Sequence, residues 1–195
     1  ASSGRVPMFK ARSSRDLRIL DFDTECRPMH YAEWRPESQF TAIAWSWVGE
    51  ENVRCIVLEQ DLSNERYMLE QFLADFAAAD IVTGHYIRKH DLPMLVDHCV
   101  RARLPMPKSV LTSDTMDLVK VKGLGKSQEN LATEFKLTAG KHHMNGSLWR
   151  EANSLSTEGQ HTARKRVIDD VLQHKQLRAE LLERGLLKPP KRWHP

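Results

Sequence analysis

The chain has 195 residues, a net formal charge of +3, 41% hydrophobic and 28% charged residues, which predicts one soluble domain with its own core. Pervasive disorder and collagen-like or repeat-built architectures are excluded by that balance. No apolar run approaches the ~18 residues of a membrane span, and no charged-then-apolar leader opens the sequence.

Charge is unevenly spread. Arg5, Lys10, Arg12, Arg15 and Arg18 crowd the start, and Arg184, Lys188, Lys191 and Arg192 crowd the end. The body between them is acidic. Basic ends of this kind suit a polyanion such as nucleic acid, or serve as solubilising tails. Residues 1–16 are expected to be a flexible basic arm, 17–184 the folded domain, and 185–195 a basic, Pro-containing tail. The start Ala-Ser-Ser-Gly, without an initiating Met, reads as a processed or added end. Cys26, Cys55 and Cys99 lack Cys-x-x-Cys spacing, which argues against a disulfide framework or a cysteine zinc site and fits a reducing cytosol.

In chain order, Arg18 to Phe22 predicts a strand ending in Asp23-Thr24-Glu25. Phe40 to Val48 predicts a second, with Ile43, Trp45 and Trp47 on one face and Ala42, Ala44 and Ser46 on the other. Gly49 to Asn52 forms a turn into a third strand, Val53 to Leu58, giving an antiparallel meander. Asn64 to Ala79 is helical, with Met68, Leu69, Phe72, Leu73 and Phe76 on one stripe. Ile81 to Thr83 is a short strand closed by Gly84. His90 to Leu104 predicts a helix with Pro93 tolerated in its first turn. A strand at Val110 to Thr112, a helix from Ser127 to Phe135, and a long helix from Gly159 to Arg184 follow. The order predicts a mixed α/β sheet flanked by helices.

Acids stand where this pattern could gather them. Residues two apart in a strand share a face, so Asp23 and Glu25 can converge on one ion; Asp21 has the same parity but lies deeper. Asp91 follows a strand, Gly84 and His85, and opens a helix. On the last helix Val167, Val171, Leu177 and Leu181 mark the inner face. Asp170 falls on that face, and an acid there must be paired, hydrogen-bonded or metal-bound. Asp169 falls about 100° further round, beside Gln173 and Gln176, and is expected to be solvated.

The segments ILDFDTECRP, FTAIAWSWVG, ADIVTGHYIRKHDLPML, SDTMDL and IDDVLQHKQL, in that order over about residues 18–183, resemble the DEDD family of 3′–5′ exonucleases, in its DnaQ-like, polymerase-B-type branch often found in phages. The resemblance implies a ribonuclease-H-like fold and Asp23, Glu25, Asp91 and Asp170 as catalytic acids holding two Mg²⁺ or Mn²⁺ ions. It implies phosphodiester hydrolysis at the 3′ end of DNA, single-stranded or frayed, with Thr24, His85, Tyr86 and Arg166 toward the substrate. Asp114 matches a recurrent Asp-Thr and is expected to be a supporting acid. A polymerase or other replication protein is an expected partner, and the cytoplasm of a bacterium or phage-infected host the expected location. An exoribonuclease with the same site is the nearest alternative; a nucleic-acid-binding module or polymerase accessory domain with weakened catalysis is the other.

Three positions depart from the family. Tyr86 stands where Asn is usual, and His90 where an aromatic precedes the second-motif Asp. Where the family carries Tyr four residues, or His five residues, before the last Asp, this chain has Arg166 and Lys165. Arginine cannot act as a base at neutral pH, so Arg166 is expected to clamp phosphate or to pair with Asp170. His142, His143, Tyr86 and His90 are candidates to hold the attacking water, and His161 points away. Tyr86 and Trp193 are candidates to stack on unpaired bases.

Overall fold

The computed structural model describes residues 16–28, 38–140 and 143–195; the basic arm before residue 16, and His142, lie outside the described residues. The sheet is built outward from β1 (Ile19–Pro28), in the order β3-β2-β1-β4-β5-β6. Antiparallel β2 (Ser38–Trp47) lies on one side of β1 and carries β3 (Arg54–Val57). Parallel β4 (Ile81–Gly84) lies on the other side and carries β5 (Val110–Asp114). The expected meander and the mixed, helix-flanked α/β sheet are both present, an arrangement compatible with a ribonuclease-H-like fold.

Sequence signals and structure part company in four places. β1 does not stop at Glu25 but runs on to Pro28. Its last pair with β4 is Asp21↔Thr83, but β2 continues to pair with it out to Pro28↔Ser38. The acids therefore lie within a strand, along the stretch that β4 leaves uncovered. Two short helices, α3 (Thr115–Leu118) and α5 (Gly146–Ser154), and the edge strand β6 (Lys191–Trp193) were not anticipated. β6 takes three residues of the expected tail and pairs them antiparallel with β5. Trp193 is thus 8% exposed and meets Phe76 edge-on at 6.4 Å, so it is a core residue and not a stacking platform for bases.

Alternation assigns the two faces of β1 to different work. Leu20 and Phe22 pack with Ile43 and Trp45 of β2, with Phe72 and Phe76 of α1 (Glu65–Ala78), and with Leu92, Leu95 and Cys99 of α2 (Asp91–Arg101). On the opposite face, Ala42, Ala44 and Val57 receive Ala163, Val167 and Val171 of α6 (Thr157–Glu183). These side chains are small, so α6 can lie close to the sheet. α6 starts two residues before the expected Gly159, because the Ser156 side chain caps it by accepting from Gly159 N–H. Among the described residues, no helix is long and apolar enough to cross a membrane.

Candidate metal centre

Three residues of β1 meet three residues of α6, rung by rung. Two strand residues rise about 6.6 Å and four helical residues about 6 Å, so every second residue of the strand can face one turn of the helix. Asp21 meets His174, whose Nδ1 lies 2.7 Å from Asp21 Oδ2. Asp23 meets Asp170. Glu25 meets Arg166, whose Nε lies 3.0 Å from Glu25 Oε1 and 3.9 Å from Asp170 Oδ2. One oxygen each of Asp23, Glu25 and Asp170 falls within 4.8 Å of the others, so the resemblance's first and last motifs are brought together in space.

Asp91 is held just outside this trio. It is the first residue of α2, with His90 before it as N-cap. The Thr24 hydroxyl, on the other face of β1, hydrogen-bonds to Asp91 Oδ1. His90 Nδ1 lies 3.5 Å from Asp91 Oδ2, and its Nε2 lies 3.8 Å from Cys26 Sγ. These contacts push the His90 pKa up to about 10, the Asp91 hydrogen bond most of all. The Thr24 side chain is buried in holding Asp91, with 8% of the residue exposed.

The cluster is short of positive charge. Burial, then the charges of Asp170, Asp91 and Glu25, raise the Asp23 pKa well above the usual carboxylate range. Burial lifts Glu25 to about 8 against the pull of Arg166, and lifts Asp170 to about 6 against the same guanidinium. An all-carboxylate donor set of this kind fits a hard divalent cation such as Mg²⁺ or Mn²⁺, which prefers oxygen ligands. Asp23, Glu25 and Asp170 are the residues that could hold it, with Asp91 adjoining.

A cleft of about 680 Å³ opens over the cluster, lined by Asp23, Asp170 and Arg166, by His85, and by Gln128 and Lys136 from α4 (Gln128–Glu134) and the turn after it. His143 also lines it and lies 3.9 Å from Glu129. Its roof is the 137–140 segment, bound directly to α6. Gln176 Oε1 accepts from the backbone N–H groups of Thr138 and Ala139, and Gln173 Nε2 donates to the carbonyls of Ala139 and Gly140. Gly140 has φ +74°, and a Cβ there would come within 2.5 Å of Gln173 Cβ and 2.7 Å of the Asp169 carbonyl oxygen. On the helix face expected to be solvated, Asp169 is half-buried, Gln173 is 7% exposed and Gln176 is exposed.

His85 reaches the cleft edge but has both ring nitrogens engaged. Nδ1 contacts the Thr115 hydroxyl at 2.7 Å and Nε2 the Lys126 carbonyl at 2.6 Å. Thr115 also contacts His174 Nε2 at 2.9 Å. Burial, then the neighbouring His174, depress the His85 pKa to about 4. His174 and Thr115 escaped the sequence reading; the available signal was the four-residue step from Asp170 matched to the two-residue step from Asp23.

Tyr86 is not among the residues lining the cleft. It is 42% exposed with φ +67°, and its backbone N–H is held by Asp114 Oδ1. Asp114 also accepts from the Arg88 N–H and caps α3 through Met116 and Asp117, the supporting part expected of it. His161 is exposed, away from the cluster.

No protein-family model and no curated protein matches the chain. Among solved structures it is similar to the family B DNA polymerase from the hyperthermophilic archaeon Pyrobaculum calidifontis, with a TM-score of 0.60 and 18% identity over 86% of this chain and 25% of that one. At that identity the likeness is one of fold, and the chain spans a quarter of the polymerase's length.

Proposed function

We propose that the protein is a metal-dependent 3′–5′ exonuclease that hydrolyses phosphodiester bonds at the 3′ end of DNA. The observation that carries this reading is the meeting of Asp23, Glu25 and Asp170 oxygens within 4.8 Å, from β1 and from a helix near the other end of the chain. The ordered motifs resembling the DEDD exonucleases support it, as does the fold shared with a stretch of a DNA polymerase. That likeness also makes a polymerase a reasonable partner.

In this reading a divalent cation held by the acids supplies a polarised water and charge stabilisation for the leaving oxygen. The chain's own groups do the rest. Asp23 and Asp170 face the cleft and orient the reacting end. Arg166 and Lys136 put positive charge on its walls for the phosphates. Thr24 and His90 hold Asp91 in place.

The test is incubation with 5′-labelled single-stranded DNA and RNA in Mg²⁺, Mn²⁺ or EDTA. A ladder shortening from the 3′ end, dependent on metal and abolished by Asp23→Ala, is the expected result. Shortening of RNA alone would move the reading to an exoribonuclease. Binding without cleavage in either metal would favour a binding module or accessory domain, a reading that the Arg166–Glu25 pair motivates.

A further inference from the structure

The three rungs between β1 and α6 differ in charge. The Asp21 rung is closed by His174 at 2.7 Å, and the Glu25 rung by Arg166 at 3.0 Å. The middle rung sets one acid against another, Asp23 against Asp170, with no basic residue of its own. The cleft repeats this division: Asp23 and Asp170 line it, whereas Glu25 does not and is 8% exposed.

Arg166 is fixed from both sides. Its position one turn before Asp170 keeps the guanidinium at the outer end of the ladder. The face of Trp149, on α5, lies over it with Cζ 5.1 Å from the ring centroid, a cation–π contact. α5 itself sits tightly on α6, where a Cβ on Gly159 would come within 2.1 Å of the Glu151 carbonyl oxygen.

We infer that the Arg166 guanidinium, backed by Trp149, permanently occupies the place of one of the two cations, so that this centre takes a single divalent ion on Asp23 and Asp170. The inference rests on the nuclease reading of the same acids and alters its ion count. Arg166 is then a positioning residue for Glu25 and a fixed cation. Because it cannot lose its proton at neutral pH, its charge does not depend on metal supply.

The experiment is Mn²⁺ titration of the full chain, followed by electron paramagnetic resonance of free and bound ion. The wild type is expected to bind one Mn²⁺ with an isolated-ion spectrum, and Asp170→Asn to lose it. Arg166→Gln is expected to bind two, with the spectrum of a coupled pair, and Arg166→Lys to return the count to one. Trp149→Ala, which keeps the guanidinium but removes its backing, is expected to admit the second ion at higher Mn²⁺ and covers the case in which Arg166→Gln does not fold. Two coupled ions in the wild type would overturn the inference and leave the nuclease reading standing. One ion in the wild type, Arg166→Gln and Trp149→Ala alike would also overturn it. No bound ion in the wild type would overturn both.

Discussion

The two faces of β1 are built for opposite ends. One buries Leu20 and Phe22 in an aromatic cluster where Phe72 lies 5.0 Å from Phe22 and 5.3 Å from Trp45. The other lays small residues against α6 and sets acids in register along it. The first face gathers apolar area and gives the sheet its stability. The second accepts unfavourable charge, and its thin packing lets carboxylates from distant parts of the chain meet. Stability and site thus lie back to back on a single strand.

The largest blow should fall on the aromatic face. Phe72→Ala is expected to cost about 3–5 kcal/mol, read as a lower urea midpoint, with any metal binding retained by the molecules still folded. On the other face, Ala44→Leu should cost about 1–3 kcal/mol through overpacking against Val167 and Val171. It should also push α6 outward and remove Mn²⁺ binding, a loss out of proportion to its effect on stability. If Phe72→Ala abolished metal binding in folded protein and Ala44→Leu spared it, the division of labour would be wrong.

The faces should also answer pH in opposite directions. Glu25 and Asp170 hold protons more readily folded than unfolded. In EDTA the stability they confer is full below pH 4 and drains away as pH rises, up to about 6 for Asp170 and about 8 for Glu25. His98 behaves inversely. It is stacked on Phe40 at 4.2 Å, accepts from the Phe40 N–H and donates to the Met94 carbonyl, and burial depresses its pKa to about 4. Its contribution is present above 6.5 and is lost as pH falls toward 4. Melting temperatures of Asp170→Asn and His98→Asn across pH 4–8 should each flatten one of the two slopes. The smallest expected change is Ser127→Ala, which removes the α4 cap that Asn130 N–H donates to. It should cost about 1 kcal/mol and leave the Mn²⁺ count alone.

Much of this arrangement was legible in the sequence, for identifiable reasons. The stripe of Met68, Phe72 and Phe76 and the alternation in FTAIAWSW are strong periodic signals, and the structure keeps both. The placement of Asp170 on the inner face followed from the positions of Val167 and Val171. β6 was not legible: Lys-Arg-Trp has no periodicity, and its strand character comes from pairing with β5, far away in the chain. α3 and α5 are short and rest on caps by Asp114 and Asn145, local cues with no apolar periodicity behind them. The extension of β1 beyond Glu25 depends on β2 outlasting β4, which is a property of the sheet and not of the strand. The Arg166–Glu25 pair is not legible locally: Arg166 lies one turn from Asp170 in sequence, whereas Glu25 is brought to it only by the docking of α6 on β1.

The roof over the acids touches α6 at Gly140, the point where a side chain would collide with Gln173 and with the Asp169 carbonyl. How close the 137–140 segment comes to α6 is therefore governed by a residue that has no side chain. A methyl group there is expected to lift that segment or to press on α6 at Asp169, and so to reshape the cleft that Asp23 and Asp170 line.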